Sequence, residues 1–100
     1  MNGKKLQDMM KQAERMQQKL QEEMSQLRVE GSSGGGIVSV VMDGGKQLLS
    51  IEIKPEAVDP EDVEMLQDLI LAAVSEAARK VDEAMNAQLG GLTGGLLPGL

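Results

Sequence analysis

The stretch that decides the fold runs Val29-Glu30-Gly31-Ser32-Ser33-Gly34-Gly35-Gly36, then Ile37-Val38-Ser39-Val40-Val41-Met42-Asp43, then Gly44-Gly45, then Lys46-Gln47-Leu48-Leu49-Ser50-Ile51-Glu52-Ile53-Lys54. Gly44-Gly45 separates two alternating runs, and glycine reaches positive φ without a Cβ clash, as the primed turns that match strand twist require. The pattern predicts a two-residue hairpin with Asp43 facing Lys46. That register pairs Met42 with Gln47, Val40 with Leu49 and Val38 with Ile51, so Val38, Val40, Met42, Leu49, Ile51 and Ile53 form an apolar face that needs a cover. The other face pairs Ile37 with Glu52, Ser39 with Ser50 and Val41 with Leu48, and tolerates water. Leu27 and Val29 are candidates for a third strand joined through the Ser32–Gly36 loop. The glycines read as turn geometry, because a phosphate loop would need a Walker lysine and a strand-then-helix order that do not accompany them.

Working outward toward the N-terminus, the apolar residues from Gly3 to about Gln26 are Leu6, Met9, Met10, Ala13, Met16, Leu20 and Met24. Spacings of three and four predict an amphipathic helix. Leu6, Met9, Ala13, Met16 and Leu20 also fit heptad a and d positions, but Glu23 takes the next d, which leaves room for a short helix-pair seam and not for a long coiled coil. Projected at about 100° per residue, Lys4, Lys11, Arg15 and Lys19 cluster opposite the apolar set, with Lys5 at the border. Asp8 and Glu22 share this basic back and dilute it; i,i+4 pairs on a solvated face would account for it equally well.

Toward the C-terminus, Asp59-Pro60-Glu61-Asp62 predicts a helix start with Asp59 as N-cap and Pro60 at the first helical position. Val58 and Val63 have the spacing of a hydrophobic staple, and Glu61, Asp62 and Glu64 complement the positive end of the helix dipole. The apolar band of Val63, Leu66, Leu69, Ile70, Ala73, Val74, Ala77, Val81, Ala84 and Met85 is widened by Met65, Leu71 and Ala72, which implies burial on more than one side. Ala72, Ala73, Ala77 and Ala78 allow another backbone, of the sheet or of a second chain, to come close. Gly90-Gly91 is expected to end the helix near Leu89. Residues 1–89 are thus expected to form a single domain and residues 90–100 a flexible Gly/Leu-rich tail.

The chain of 100 residues has no Phe, Tyr or Trp, no Cys, no His and eight Met. So short a chain buries only about two-thirds of its unfolded surface, and self-association would add to that burial. Thiol chemistry, disulfides, imidazole bases and nearly every transition-metal site are excluded. The N-terminus leads into a Gln-rich run and no apolar run approaches a membrane span, so a soluble, cytoplasmic protein without a membrane partner is expected. The net charge of −6 is uneven: residues 1–30 hold six basic and five acidic side chains, residues 31–54 two of each, and residues 55–100 two basic and nine acidic. An acidic total weighs against nucleic-acid binding, which usually rests on a clustered basic surface. Any such role falls to local charge.

An ordered set of segments carries a resemblance over nearly the whole chain. They are Met9-Met10-Lys11-Gln12-Ala13 with Met16-Gln17, Val29-Glu30-Gly31-Ser32 with Gly34-Gly35-Gly36 and Val38, and Ile51 to Lys54. Next come Asp59-Pro60-Glu61-Asp62 with Glu64-Met65-Leu66 and Asp68-Leu69-Ile70, then Ala72-Ala73-Val74 with Ala77 and Lys80. Leu92-Thr93-Gly94-Gly95-Leu96 with Leu97-Pro98-Gly99 closes the set. In these the chain resembles the YbaB/EbfC family of bacterial nucleoid-associated proteins. The resemblance implies an α+β subunit of order α-β-β-β-α, with an antiparallel three-stranded sheet flanked by two long helices. It also implies a tweezer-like homodimer that binds duplex DNA in the nucleoid with little or variable sequence preference, with effects on nucleoid organisation and gene expression. The family offers no catalytic motif, cofactor, metal site or small-molecule substrate to carry over, and it places its DNA contacts on the helical arms. The candidate DNA-binding residues here are Lys4, Lys5, Lys11, Arg15 and Lys19, with Arg79 and Lys80 as secondary candidates.

Two classes of function follow. In the first, a homodimer doubles a modest basic stripe and neutralises phosphates of duplex DNA, an interaction nearly blind to sequence. Without aromatic residues, stacking on unpaired bases is not available, which disfavours single strands. In the second, an adaptor or small chaperone uses the adaptable methionines of the first helix to hold apolar segments of other proteins. An enzyme is not expected: Glu61 and Asp62, or Glu22 and Glu23, lack a basic or metal-binding set around them.

Overall fold

Three antiparallel strands in the spatial order β1-β2-β3 carry one long helix on their inner face, and a second long helix leads into them. In the computed structural model, which describes residues 3–93 and the side chains of residues 3–90, the elements are α1 (Gly3–Gln26), β1 (Val29–Ser33), β2 (Val38–Met42), β3 (Leu48–Ile53), a single 3-10 turn (Pro55–Ala57) and α2 (Val63–Thr93). The fold is α+β, α-β-β-β-α, as expected, and the third strand is β1.

The core lies between α2 and the first two strands. Val38, Val40 and Met42 alternate inward from β2 and are buried with Ala57, Ala73, Ala77, Val81 and Met24. Leu66, Leu69, Ile70 and Val74 pack around them. The small side chains of α2 admit the sheet itself. Gly31 of β1 lies so close to α2 that a Cβ there would stand 2.1 Å from the Ala73 carbonyl oxygen and 2.9 Å from the Ala77 Cβ. Ser33 Oγ ties the end of the same strand to the Leu69 carbonyl oxygen at 2.6 Å.

The hairpin departs from the expected one. Val38 pairs with Ile53, Val40 with Ile51, Ser39 with Glu52, Val41 with Ser50 and Met42 with Leu48, with a bulge after Val41. Its turn is longer than two residues: the Asp43 N–H donates to the Gln47 carbonyl, and Asp43 Oδ1 accepts from the backbone of Gly45 and Gln47. The residue at positive φ is Lys46, at 62°, and not Gly44 or Gly45. Gly44 is small for another reason. Its N–H donates to the Met24 carbonyl at 3.0 Å, and a Cβ would collide with that oxygen. The longer turn and the bulge displace the register by two residues, so Ile51 and Ile53 keep the face that was read for them, while Leu48 takes the place opposite Met42.

Three further expectations are corrected. The N-cap of α2 is Asp62, whose Oδ1 accepts from the Met65 N–H at 3.1 Å, while Asp59 closes the preceding turn by accepting from the Glu61 N–H through Oδ1 and from the Asp62 N–H through its carbonyl. Pro60 therefore sits in that turn and not at the first helical position. Val58 and Val63 form no buried staple, each being 54% exposed. The helix continues through Gly90-Gly91 to Thr93, because neither glycine adopts the positive φ that would turn the chain out of it. From residue 94 on, the tail lies outside the described residues.

Candidate nucleic-acid interface

The 24 residues of α1 contain no β-branched side chain and no proline, and are rich in Gln, Lys, Glu, Met and Leu. These are strong helix formers. That composition matters because little else supports the helix. Every side chain from Gly3 to Lys19 is exposed, and only the last turns, through Leu20 and Met24, engage the core. A helix of this length spans about 36 Å, and the whole chain reaches 71 Å in its long dimension. At the C-terminal end of α1, Arg28 Nη1 donates to the carbonyl oxygens of Ser25 at 3.0 Å and Leu27 at 2.9 Å. The hairpin tip closes on Met24 beside it.

The exposed part of α1 carries two faces. Leu6, Met9, Met10 and Met16 are all more than half exposed along one side. Opposite them, Lys4, Lys11, Arg15 and Lys19 fall within a sector of about 80° and a length of about 22 Å at 1.5 Å per residue. None of these four makes an ion pair or hydrogen bond within the described chain. The i,i+4 pairs that would have explained a solvated stripe are not formed by them. Lys4 and Lys5 stand in the first turn, where the helix dipole disfavours cations by some tenths of a kcal/mol. Departures from local helix rules of this kind concentrate at functional surfaces.

Arg79 and Lys80 belong to a different place. They lie on the stretch of α2 that packs over the sheet, so the structure does not join them to the α1 stripe. Arg79 is exposed. Lys80 is engaged: its Nζ is 2.6 Å from the Glu30 carbonyl oxygen and 3.2 Å from Glu76 Oε1. Lys46 is likewise paired with Asp82, at 2.7 Å. Both attachments join residues far apart in sequence, and spacing alone gave no sign of them; for Arg28, the signal was a basic residue just past the last turn of a helix.

The acidic residues gather elsewhere, at the start of α2, where Asp62, Glu64 and Asp68 line an open hollow with Met65 and Leu69. Among the described residues, no group of three or more His, Cys, Asp or Glu side chains is placed to hold a metal ion. No helix among them is long and apolar enough to cross a membrane.

Comparison with known proteins fits this geometry into a family. A crystal structure of an uncharacterized protein from Helicobacter pylori superposes with a TM-score of 0.79 over 94% of this chain and 99% of that one, at 23% identity, which establishes the likeness of fold. A nucleoid-associated protein of Pelotomaculum thermopropionicum is 54% identical over 104 aligned residues, covering 100% of this chain and 99% of its own length. Another, from Koribacter versatilis, is 52% identical over 100 residues and 99% of both chains. The sequence model of the YbaB/EbfC DNA-binding family matches residues 1–96, and with relatives this similar over their full lengths, the chain belongs to that family.

Proposed function

We propose that this protein is a non-enzymatic, nucleoid-associated homodimer that binds duplex DNA with little sequence preference through the basic face of α1. The observation that carries the reading is the row of unpaired cations on Lys4, Lys11, Arg15 and Lys19 of an otherwise unsupported helix, in a chain whose relatives are named nucleoid-associated proteins. Lys5 borders the row, and Arg79 and Lys80 are secondary contacts. Affinity comes from phosphate neutralisation and counterion release. Sequence is scarcely read, since lysines on phosphates carry no base information. The protein then acts in the cytoplasm on the nucleoid and influences its organisation and gene expression, with no cofactor, membrane or small-molecule substrate involved.

Self-association is supported by what the single chain leaves uncovered. Ile51 and Ile53 share the inner face with Val40 and Val38, yet they are 46% and 36% exposed while the two valines are at 1% and 0%. The reason is that α2 packs over β1 and β2 and stops short of β3. A helix from a second copy laid on β3 would complete the layer, and two-fold symmetry would then present two basic arms to one duplex. Sedimentation equilibrium is expected to give a dimer at micromolar concentration; a stably folded monomer there would refute this arrangement.

The competing reading is an adaptor that grips apolar segments with Met9, Met10 and Met16, which are exposed. Salt separates the two. A duplex-DNA shift assay on dimeric protein is expected to show affinity falling steeply with ionic strength, whereas apolar binding hardly weakens. No shift even at low salt would give precedence to the adaptor.

A further inference from the structure

The two edges of the sheet are treated differently. Lys54 N–H donates to the Ile37 carbonyl at 2.9 Å, so at the end of β3 the backbone of residue 54 faces β2. Strand alternation then turns Glu52 and Ser50 toward β2 as well, as their partners Ser39 and Val41 require, and turns the backbone groups of Ile51 and Ile53 to the open edge. On β2 the same alternation directs Val38, Val40 and Met42 toward β1. The outward groups of β1 are therefore those of Glu30 and Ser32. The Glu30 carbonyl on that edge is occupied by the Lys80 ammonium at 2.6 Å. At β3 all six side chains are exposed and no element of the chain covers the strand.

From this asymmetry we infer that the edge of β3 is a second self-association surface, pairing antiparallel with β3 of another copy about a two-fold axis at Ile51. The register is fixed by chemistry. Side chains on one face must meet side chains on the same face, and the outward N–H and C=O of Ile51 must meet their equivalents. Centring on Ile51 satisfies both and sets Ser50 opposite Glu52 twice over. Centring on Ser50 would put inward-bonded residues at the axis, and centring on Glu52 would also place two carboxylates opposite one another, which is unfavourable. The bulge before Ser50 and Pro55 after Lys54 bound the usable edge to a few residues. Such devices limit edge pairing in native sheets, and here they make the contact weak and reversible.

This surface is separate from the inner-face dimer and goes beyond it. A dimer would carry two such edges pointing away from each other, so edge pairing links dimers into chains. On DNA, where bound dimers are concentrated, weak contacts of this kind make binding cooperative.

The test uses the natural lack of cysteine. Ser50→Cys and Glu52→Cys alter exposed residues whose side chains point away from the buried face. In the inferred register, residue 50 of one copy faces residue 52 of the other with Cα atoms roughly 4.5 Å apart, within disulfide range. Two copies of residue 50 stand roughly 8 Å apart, two residues out of step and beyond that range. On mild oxidation of about 10 µM protein with duplex DNA, the mixed variants are expected to cross-link on the order of a hundredfold faster than either alone, since pairing raises thiol concentration to about millimolar. A mixture that cross-links no faster than the single variants overturns the proposal, including the case in which a strand of another protein takes this edge. Sedimentation of the same variants reports the inner-face dimer independently, so either interface can fail without the other.

Discussion

The backbone N–H of Gly44 donates to the carbonyl oxygen of Met24 at 3.0 Å, and a Cβ at residue 44 would stand 2.1 Å from that same oxygen. The hairpin tip is thereby clamped to the end of α1, where helical carbonyls lack intrahelical partners. This contact and the burial of Met24 are what anchor an otherwise exposed helix to the body. Gly44→Ala is expected to lower stability by about 1–3 kcal/mol, the usual range for an atom forced into a filled site. Gly45→Ala, whose Cβ would meet only Asp43 Oδ1 at 3.4 Å, should cost clearly less. Urea unfolding of the pair measures the difference, and equal losses would disprove the clamp.

Gly31→Ala should be more severe. Its Cβ would lie 2.1 Å from the Ala73 carbonyl oxygen and 2.7 Å from the Ala77 backbone nitrogen. Both obstacles are helix backbone, so relief requires α2 to lift off β1, with loss of the packing that buries Ala73, Ala77 and Val81. A loss of about 3 kcal/mol or more is expected. In a domain of this size that corresponds to a fall in Tm of more than about 10 °C, readable by thermal circular dichroism.

The cap assignment is also testable. Asp62→Ala should cost about 1 kcal/mol, the usual loss when an N-cap acceptor is removed. Asp59→Ala removes only an acceptor in the exposed turn before the helix and should cost less. A larger loss at Asp59 would return the helix start to Pro60.

The order of elements was legible because hydrophobic period changes along the chain: three and four from Leu6 to Met24, two from Val38 to Met42 and again from Leu49 to Ile53, then three and four from Val63 to Met85. The buried faces of β2 and of α2 followed from that. What periodicity does not encode is where a tight contact forms. Gly44-Gly45 has the composition of a primed turn, but Asp43 Oδ1 holds two backbone N–H groups and the tip must reach Met24, so a longer turn with Lys46 at positive φ prevails. Asp59-Pro60 and Asp62 are both credible helix starts, and only the path from the Pro55–Ala57 turn chooses between them. At the candidate interface, the stripe from Lys4 to Lys19 could be read from one helix. The engagement of Lys80 with Glu30 could not, since it bridges fifty positions.

The final prediction concerns that stripe. Replacing Lys11, Arg15 and Lys19 together with Gln is expected to weaken duplex binding while leaving fold and self-association intact. The three side chains are exposed and make no ion pair or hydrogen bond in the described chain. Gln is a good helix former and the methionine face is untouched, so stability should change by no more than about 0.5 kcal/mol. Each lost phosphate contact should reduce the slope of log affinity against log salt by about 0.9, and a dimer can lose two contacts per substituted position. Affinity should fall alike for unrelated duplexes, because phosphates are common to all of them. Lys80→Gln provides the contrast. Its ammonium is held by the Glu30 carbonyl and Glu76, so it should change the salt slope less than the triple substitution and act more on stability. If the triple variant bound with an unchanged salt slope, the α1 stripe would be a solvated face, and the DNA contacts would have to be sought on α2 around Arg79.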